Sequence, residues 1–255
     1  EKSAAGAERS VFAGGRAGTF EIPGTGSSMG FGGYVKLDLI VSSSGRPTEA
    51  EGVPAPGGDL SEQFVVPGLI PIDGPPPGEA TQLYFHPRES RIWWRAHSPT
   101  DWGDFNAYIE LDFFAFQSPG NETISNSYAP RMRHAFGALG PLLAGQTWTT
   151  FMNVSAIPEN LDFVGTVGTI FARQPMIRWT QPFGESFDLQ IALEQLETTI
   201  TTVKDSDALR NPGDDRIPDV VLGAKYAGDF GNVTLTMIGR QLRVDDGARS
   251  DEHYA

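Results

Sequence analysis

The chain has 255 residues, a net charge of -13 and no cysteine. Lack of cysteine excludes a disulfide scaffold, thiolate-ligated zinc and a cysteine nucleophile. An acidic chain without a basic stripe has little with which to neutralise nucleic-acid phosphates, so no nucleic-acid partner is expected.

Glycine is abundant, blocks of Ala, Glu and Lys are few, and aromatic residues are scattered singly along short runs. That composition predicts an all-β chain. No stretch approaches the roughly 18 to 20 apolar residues that a membrane helix needs. A membrane barrel is still open to the sequence, because its strands span with about 9 to 11 residues of which only half are apolar. The chain begins at Glu1 with no signal peptide ahead of it, which reads as a mature or clipped product.

Residues 1–28, rich in Gly, Ala and Ser and without a sustained period, are read as an N-terminal tail, closed by the turn signal at Pro23-Gly24. Residues 29–255 are read as the body. Phe31 to Ile40 alternates, with Val35, Leu37 and Leu39 on one face and Tyr34, Lys36 and Asp38 on the other. A period of two predicts a strand with one apolar face. Residues 42–79, full of Pro, Gly and acids, predict a loop too long for a compact soluble domain.

The second predicted strand, Arg88 to His97, sets Ile92, Trp94 and Ala96 against Arg91, Trp93 and Arg95. The third sets Phe105, Ala107, Ile109, Leu111 and Phe113 against Asn106, Tyr108, Glu110 and Asp112. In the fourth, Met132 and Phe136 oppose Arg131 and Arg133, and the same parity puts His134 with the apolar set. The fifth covers 142–151 and the sixth 173–181, with Arg178 facing away from Ile177 and Trp179. The seventh alternates Phe187, Leu189, Ile191 and Leu193 with Asp188, Gln190 and Glu194, a regularity that overrides the helix-favouring composition of that stretch. An eighth carries Val220, Leu222 and Ala224 on one face, and a ninth Val233, Leu235 and Met237.

Long loops follow the odd-numbered strands and short turns the even-numbered ones. That asymmetry belongs to outer-membrane barrels, and a sandwich has no reason to keep it. The expected fold class is therefore all-β: a transmembrane antiparallel β-barrel of porin type, located in the cell outer membrane. About nine strands is an odd count, and open strand edges are intolerable in lipid, where each unpaired backbone group costs several kcal/mol. The expectation is a partial barrel whose chain is truncated at the C-terminus.

Several stretches carry a family resemblance: Ile22-Pro23-Gly24-Thr25, Phe31 to Asp38, Arg131-Met132-Arg133-His134-Ala135-Phe136-Gly137, Gly145-Gln146-Thr147-Trp148 with Phe151-Met152, Pro158 to Phe163, and Arg173 to Arg178. In this order and spacing, over roughly residues 20–200, the sequence resembles the DcaP-type outer-membrane porins of Gram-negative bacteria. The resemblance implies a homotrimer of 16-stranded barrels, passive diffusion, and a preference for small anionic solutes such as dicarboxylates. Residues 1–20 lack the heptads of the coiled-coil segment that family members often carry.

Selectivity in a porin comes from rings of charge near a constriction. Taking the polar face as lumenal selects Arg91 and Arg95, Arg131 and Arg133, and Arg178, on strands about 10 Å apart. Arginine stays charged, and its planar fork matches a carboxylate. The loop after the fifth strand, which folds into the lumen in a 16-stranded porin, would set Glu159 and Asp162 against this wall and orient dipolar solutes. The plainer reading pairs the arginines with Glu110, Asp112 or Asp188 on adjacent strands.

Trp93 and Trp148 suit packing or a girdle, Trp94 and Trp179 an interfacial belt. His86, His97 and His253 are too dispersed to suggest a metal site, and no cofactor is expected. No nucleophile elbow, P-loop or dinucleotide fingerprint occurs, so no enzymatic activity is expected. Outer-membrane lipid and lipopolysaccharide are the expected surroundings. Two alternatives from other classes are a soluble secreted β-sandwich that binds glycans and a barrel lipid hydrolase, the latter needing His134 on the lipid face.

Overall fold

The computed structural model describes residues 18–42, 82–115, 125, 127–158, 168–195, 200–202, 205–210, 215–245 and 250–255. Their strands are β1 (Phe20–Glu21), β2 (Ser28–Tyr34), β3 (Asp38–Ser42), β4 (Gln82–His86), β5 (Arg91–Thr100), β6 (Gly103–Asp112), β7 (Arg131–Leu139), β8 (Leu142–Trp148), β9 (Arg173–Phe183), β10 (Phe187–Glu194), β11 (Ile200–Thr202), β12 (Asp205–Arg210), β13 (Asp219–Gly228), β14 (Gly231–Gly239), β15 (Gln241–Asp245) and β16 (Ser250–Tyr254). One 10-stranded sheet runs in the order β1-β2-β5-β6-β7-β8-β9-β10-β13-β14. Each strand is antiparallel to its neighbours. Three two-stranded hairpins, β3-β4, β11-β12 and β15-β16, stand apart from it.

The nine predicted strands are all present, and the two-residue β1 extends the sheet by pairing Phe20 with Met29. The short connections 101–102, 140–141, 184–186 and 229–230 all lie at one end of the sheet. β4 pairs with the end of the first predicted strand, and β12 lies inside the acidic connection, where only loop was expected. No helix among the described residues is long and apolar enough to cross a membrane.

The burial pattern is inverted relative to a water-soluble domain. Phe31, Ile92, Ile177, Ile191, Leu235 and Met237 are exposed, Leu235 to 75%. Asp112, Glu194, Asp219 and Arg133 are buried, Asp112 completely. Register sorts these onto two faces: Ile92 pairs with Leu111, Trp94 with Ile109 and Leu222 with Met237 on one face. Trp93 pairs with Glu110 and Gln190 with Gly223 on the other. An apolar face so widely exposed needs lipid to cover it, which a secreted glycan-binding sandwich would not have. At the short-turn end, Trp102 is 85% exposed and Phe230 stacks on Tyr226 at 4.7 Å, as aromatic rings at a membrane interface do.

Three boundaries differ from the sequence reading. The first predicted strand is two elements: β2 joins the main sheet, β3 pairs with β4, and residues 35–37 turn between them. Ser90 fixes this corner, accepting a hydrogen bond from the Lys36 amide and donating one to its carbonyl. The same corner makes residues 88–90 a turn, so β5 begins at Arg91. β8 ends at Trp148, because Thr149 leaves the sheet for a turn of its own.

The largest difference is a β-bulge in β7. Glu110 pairs with His134, but Leu111 pairs with Met132, leaving Arg133 as the extra residue. A bulge inserts one residue and reverses the alternation beyond it. Arg131 and Arg133 keep the polar parity expected of them, whereas His134 and Phe136 now share a face with Glu110 and Tyr108. His134 therefore does not face lipid, where the lipid-hydrolase alternative required it.

Candidate functional site: a basic wall and an infolded segment

Glycines on the polar face of β2 prepare the first part of the wall. Gly32 lies opposite Trp93, and a Cβ there would stand 2.0 Å from the indole ring. Gly30 lies opposite Arg95 and leaves room for the backbone of Gly18, whose carbonyl would be 2.7 Å from an added Cβ. Glycine in a strand marks such close approaches. Trp93, kept on this face, stacks with Tyr108 at 6.5 Å and lies 5.3 Å from the Arg95 guanidinium, so it packs the wall rather than a girdle. Arg95 lines a cavity of about 240 Å³ with Thr19, Ser28, His97, Tyr108 and Phe136.

Arg91, Arg131 and Arg133 converge on two carboxylates. Arg131 donates to both oxygens of Asp112, from Nε at 2.9 Å and from Nη2 at 2.5 Å. Arg133 donates from Nε to Glu110 at 2.5 Å and from Nη1 to Asp112 at 3.0 Å. Tyr108 donates its hydroxyl to Glu110 at 2.7 Å, and the Phe114 amide donates to Asp112 at 3.2 Å. Arg91 approaches Glu110 at 3.8 Å. The bulge makes this possible: with regular alternation one arginine of β7 would lie opposite each acid, whereas the extra residue lets Arg133 span both. The plainer reading is thus correct for three of the five predicted arginines, although three guanidiniums still exceed two carboxylates. Asp188 pairs in register with Pro182 and Lys225 and is no part of this cluster.

Arg178 sits elsewhere on the wall, on β9 opposite Ala192 of β10. Its Nε is enclosed and has no hydrogen-bonding partner. Arg173, at the start of β9, has both Nε and Nη2 enclosed without a partner. Its guanidinium lies 3.7 Å from the centre of the Trp148 ring and 5.1 Å from that of Phe171. Trp148 in turn meets the ring of His134 edge-on at 5.5 Å, and His134 shares a 3.0 Å hydrogen bond with Thr147. Arg173 escaped the sequence argument because its parity matches Ile177 and Trp179. A residue at a strand end escapes that parity, and here the Trp148 ring holds it.

The segment after β8 crosses the polar face of the later strands. Thr149 donates its hydroxyl to Glu194 at 2.6 Å and the Thr150 amide donates to the same carboxylate at 2.7 Å. Asn153 donates to the Asn232 side chain at 2.9 Å. Thr150 and Met152 are buried beneath this turn, and Val154–Ala156 forms a 3-10 turn beyond it. Residues 149–153 are thus tied to the later strands, while residues 159–167 of the loop expected to fold inward lie outside the described residues. Glu159 and Asp162, the acids proposed to face the arginines, lie outside the described residues. Among the described residues no group of His, Asp or Glu could hold a metal ion.

A family model described as the DcaP outer membrane protein matches residues 66–220, more than half of the chain. No curated protein matches. Among solved structures, the outer membrane channel DcaP of Acinetobacter baumannii matches with a TM-score of 0.64 and 16% identity, over 89% of this chain and 57% of that one. The chain thus spans just over half the length of the solved channel, and at that identity the likeness establishes the fold. From the family match over more than half of its length, the chain belongs to the DcaP outer membrane protein family.

Proposed function

We propose that this chain forms part of a diffusion channel for small anionic solutes such as dicarboxylates, working as a homotrimer surrounded by outer-membrane lipid and lipopolysaccharide. Arg91, Arg95, Arg131, Arg133 and Arg178 form the basic wall of its constriction. Glu159 and Asp162, on the infolded connection, supply the opposing charge. The observation that supports this reading is the excess of cation on the polar face among the described residues. Three guanidiniums surround two carboxylates, and Arg173 and Arg178 add charge with partnerless N–H groups. A low-dielectric wall with uncompensated charge concentrates counter-ions, and a guanidinium fork recognises a carboxylate.

The division of labour follows from the pairing. Arg131 and Arg133 are held by carboxylates and supply the field. Arg173 and Arg178 add further positive charge from enclosed positions.

The test is the zero-current potential of the full-length channel in a planar bilayer across a tenfold salt gradient, where ideal selectivity gives about 59 mV for a monovalent ion. Anion preference is expected. Arg131→Ser with Arg133→Ser leaves Glu110 and Asp112 with Arg91 alone and turns the cluster from net positive to net negative, so the potential moves toward cation preference. Cation preference in the unaltered channel would overturn the anion reading while leaving the channel in place.

A further inference from the structure

We infer that Glu194 is a positioning residue: its carboxylate clasps the segment Thr149–Ala156 across the polar face and thereby sets the bore of the channel. This rests on the channel reading above and assigns control of the constriction to one side chain on the strand wall, away from the arginines.

Glu194 closes β10 on the polar face, at the end of the sheet where the long connections lie, opposite Met176 and Asp219 in register. It is 1% exposed. Every hydrogen bond shown for it is accepted. Oε1 takes the Thr150 amide at 2.7 Å. Oε2 takes the Thr149 hydroxyl at 2.6 Å and the Gln174 side-chain amide at 2.8 Å. An ionised carboxylate is an acceptor only, so three converging donors suit it and no neutral residue replaces it in full. Gln174, on β9, braces the carboxylate from the wall side, while both other donors come from the infolded segment.

The remaining ties are weaker or lie nearer the tip. The Thr149 amide donates to the Ala172 carbonyl at 3.1 Å, which closes the neck of the connection without fixing its direction. Thr236 reaches the Phe151 carbonyl at 3.4 Å, and the Asn153–Asn232 contact is exposed. The floor beneath is shaped to receive the segment. Gly223 lies on the polar face of β13 opposite Gln190, and a Cβ there would lie 3.4 Å from Thr150 Cγ2. The segment therefore rests on the wall here at van der Waals distance, with room for a small side chain.

Because the chain has no cysteine, the clasp can be replaced by a covalent one. Thr150→Cys with Gly223→Cys sets a thiol on each side of this 3.4 Å contact, and the Thr150 hydroxyl removed has no hydrogen-bonding partner to lose. The experiment records single channels of the full-length protein in planar bilayers. Wild-type current is recorded first; its absence from folded protein would refute the channel itself and this inference with it. With wild-type channels in hand, Glu194→Ala is expected to raise unitary conductance roughly two-fold and to add open-channel noise, as the segment leaves the wall. In the Glu194→Ala, Thr150→Cys, Gly223→Cys channel, oxidation is expected to restore wild-type conductance and reduction to abolish that recovery. A residue that merely stabilised the barrel would not be rescued by cross-linking the segment. Should the Ala variant fail to insert, Glu194→Gln, which keeps the volume and one acceptor, is read in the same way. Wild-type conductance and noise in the Glu194 variant, or a current that oxidation leaves unchanged, would overturn the clasp while the channel reading stands.

Discussion

Replacing Arg133 by Met tests whether the β7 bulge exists to bring one guanidinium to two acids. Methionine keeps the length of the stem and opens little cavity, so the loss is chiefly of charge and hydrogen bonds. Arg133 is 3% exposed, and its partners Glu110 and Asp112 are themselves buried, so solvent screening gives little relief. After the change, Asp112 keeps both contacts from Arg131 and the Phe114 amide. Glu110 keeps the Tyr108 hydroxyl and Arg91 at 3.8 Å.

Removing one member of a buried ion pair costs about 3 to 5 kcal/mol. With these partners remaining, the lower end applies: about 3 kcal/mol, or on the order of a hundredfold in the folding equilibrium. The assay is denaturant unfolding of the full-length protein in lipid vesicles, followed by tryptophan fluorescence. A cycle with Glu110→Gln isolates the pair and should show coupling of at least about 1 kcal/mol, as neighbours in one network do. A cost below about 1 kcal/mol, with the two changes additive, would show that Arg133 and Glu110 do not act together and would refute the account of the bulge.

Other predictions use different parts of the wall. Arg178→Gln should move the zero-current potential toward cations with little loss of stability, since no protein partner of its Nε is stranded. A loss of stability as large as that of Arg133→Met would contradict this. Gly145→Ala should destabilise the barrel by about 1 to 3 kcal/mol in the same unfolding assay, because φ is +131° and the added Cβ would lie 2.3 Å from the Ala135 carbonyl. Unchanged stability would mean that the backbone there relaxes without cost. Leu235→Arg should cost about 2 to 4 kcal/mol if this exposed position faces the bilayer centre, whereas Thr234→Arg, on the opposite face, should be tolerated. Equal costs for the two would overturn the assignment of the faces.

The sequence by itself determined the nine main strands, most of their faces and their asymmetry of connection. Each is a local property: period-two alternation marks a strand, and Gly-containing short turns at 140–141 and 184–186 separate from long acidic loops without knowledge of any partner. Membrane location followed as well, because alternating strands joined by such loops have no reason to form a soluble core. Arg91, Arg95, Arg131, Arg133 and Arg178 could be placed on the polar face for the same reason.

What only the tertiary structure decided is how those charges are spent. The bulge at Arg133 depends on the pairing of β7 with β6, so nothing in the β7 sequence alone shows that His134 turns away from lipid. Arg173 is held by Trp148, a neighbour across β8, which overrides its parity along β9. Glu194 gains its role from Thr149 and Thr150, brought to it by a turn that leaves β8, and a carboxylate at the end of an alternating strand carries no mark of such distant donors. Alternation is written along one strand; register, bulges and infolding arise between strands, and so do the charge balance of the wall and the course of the segment that crosses it.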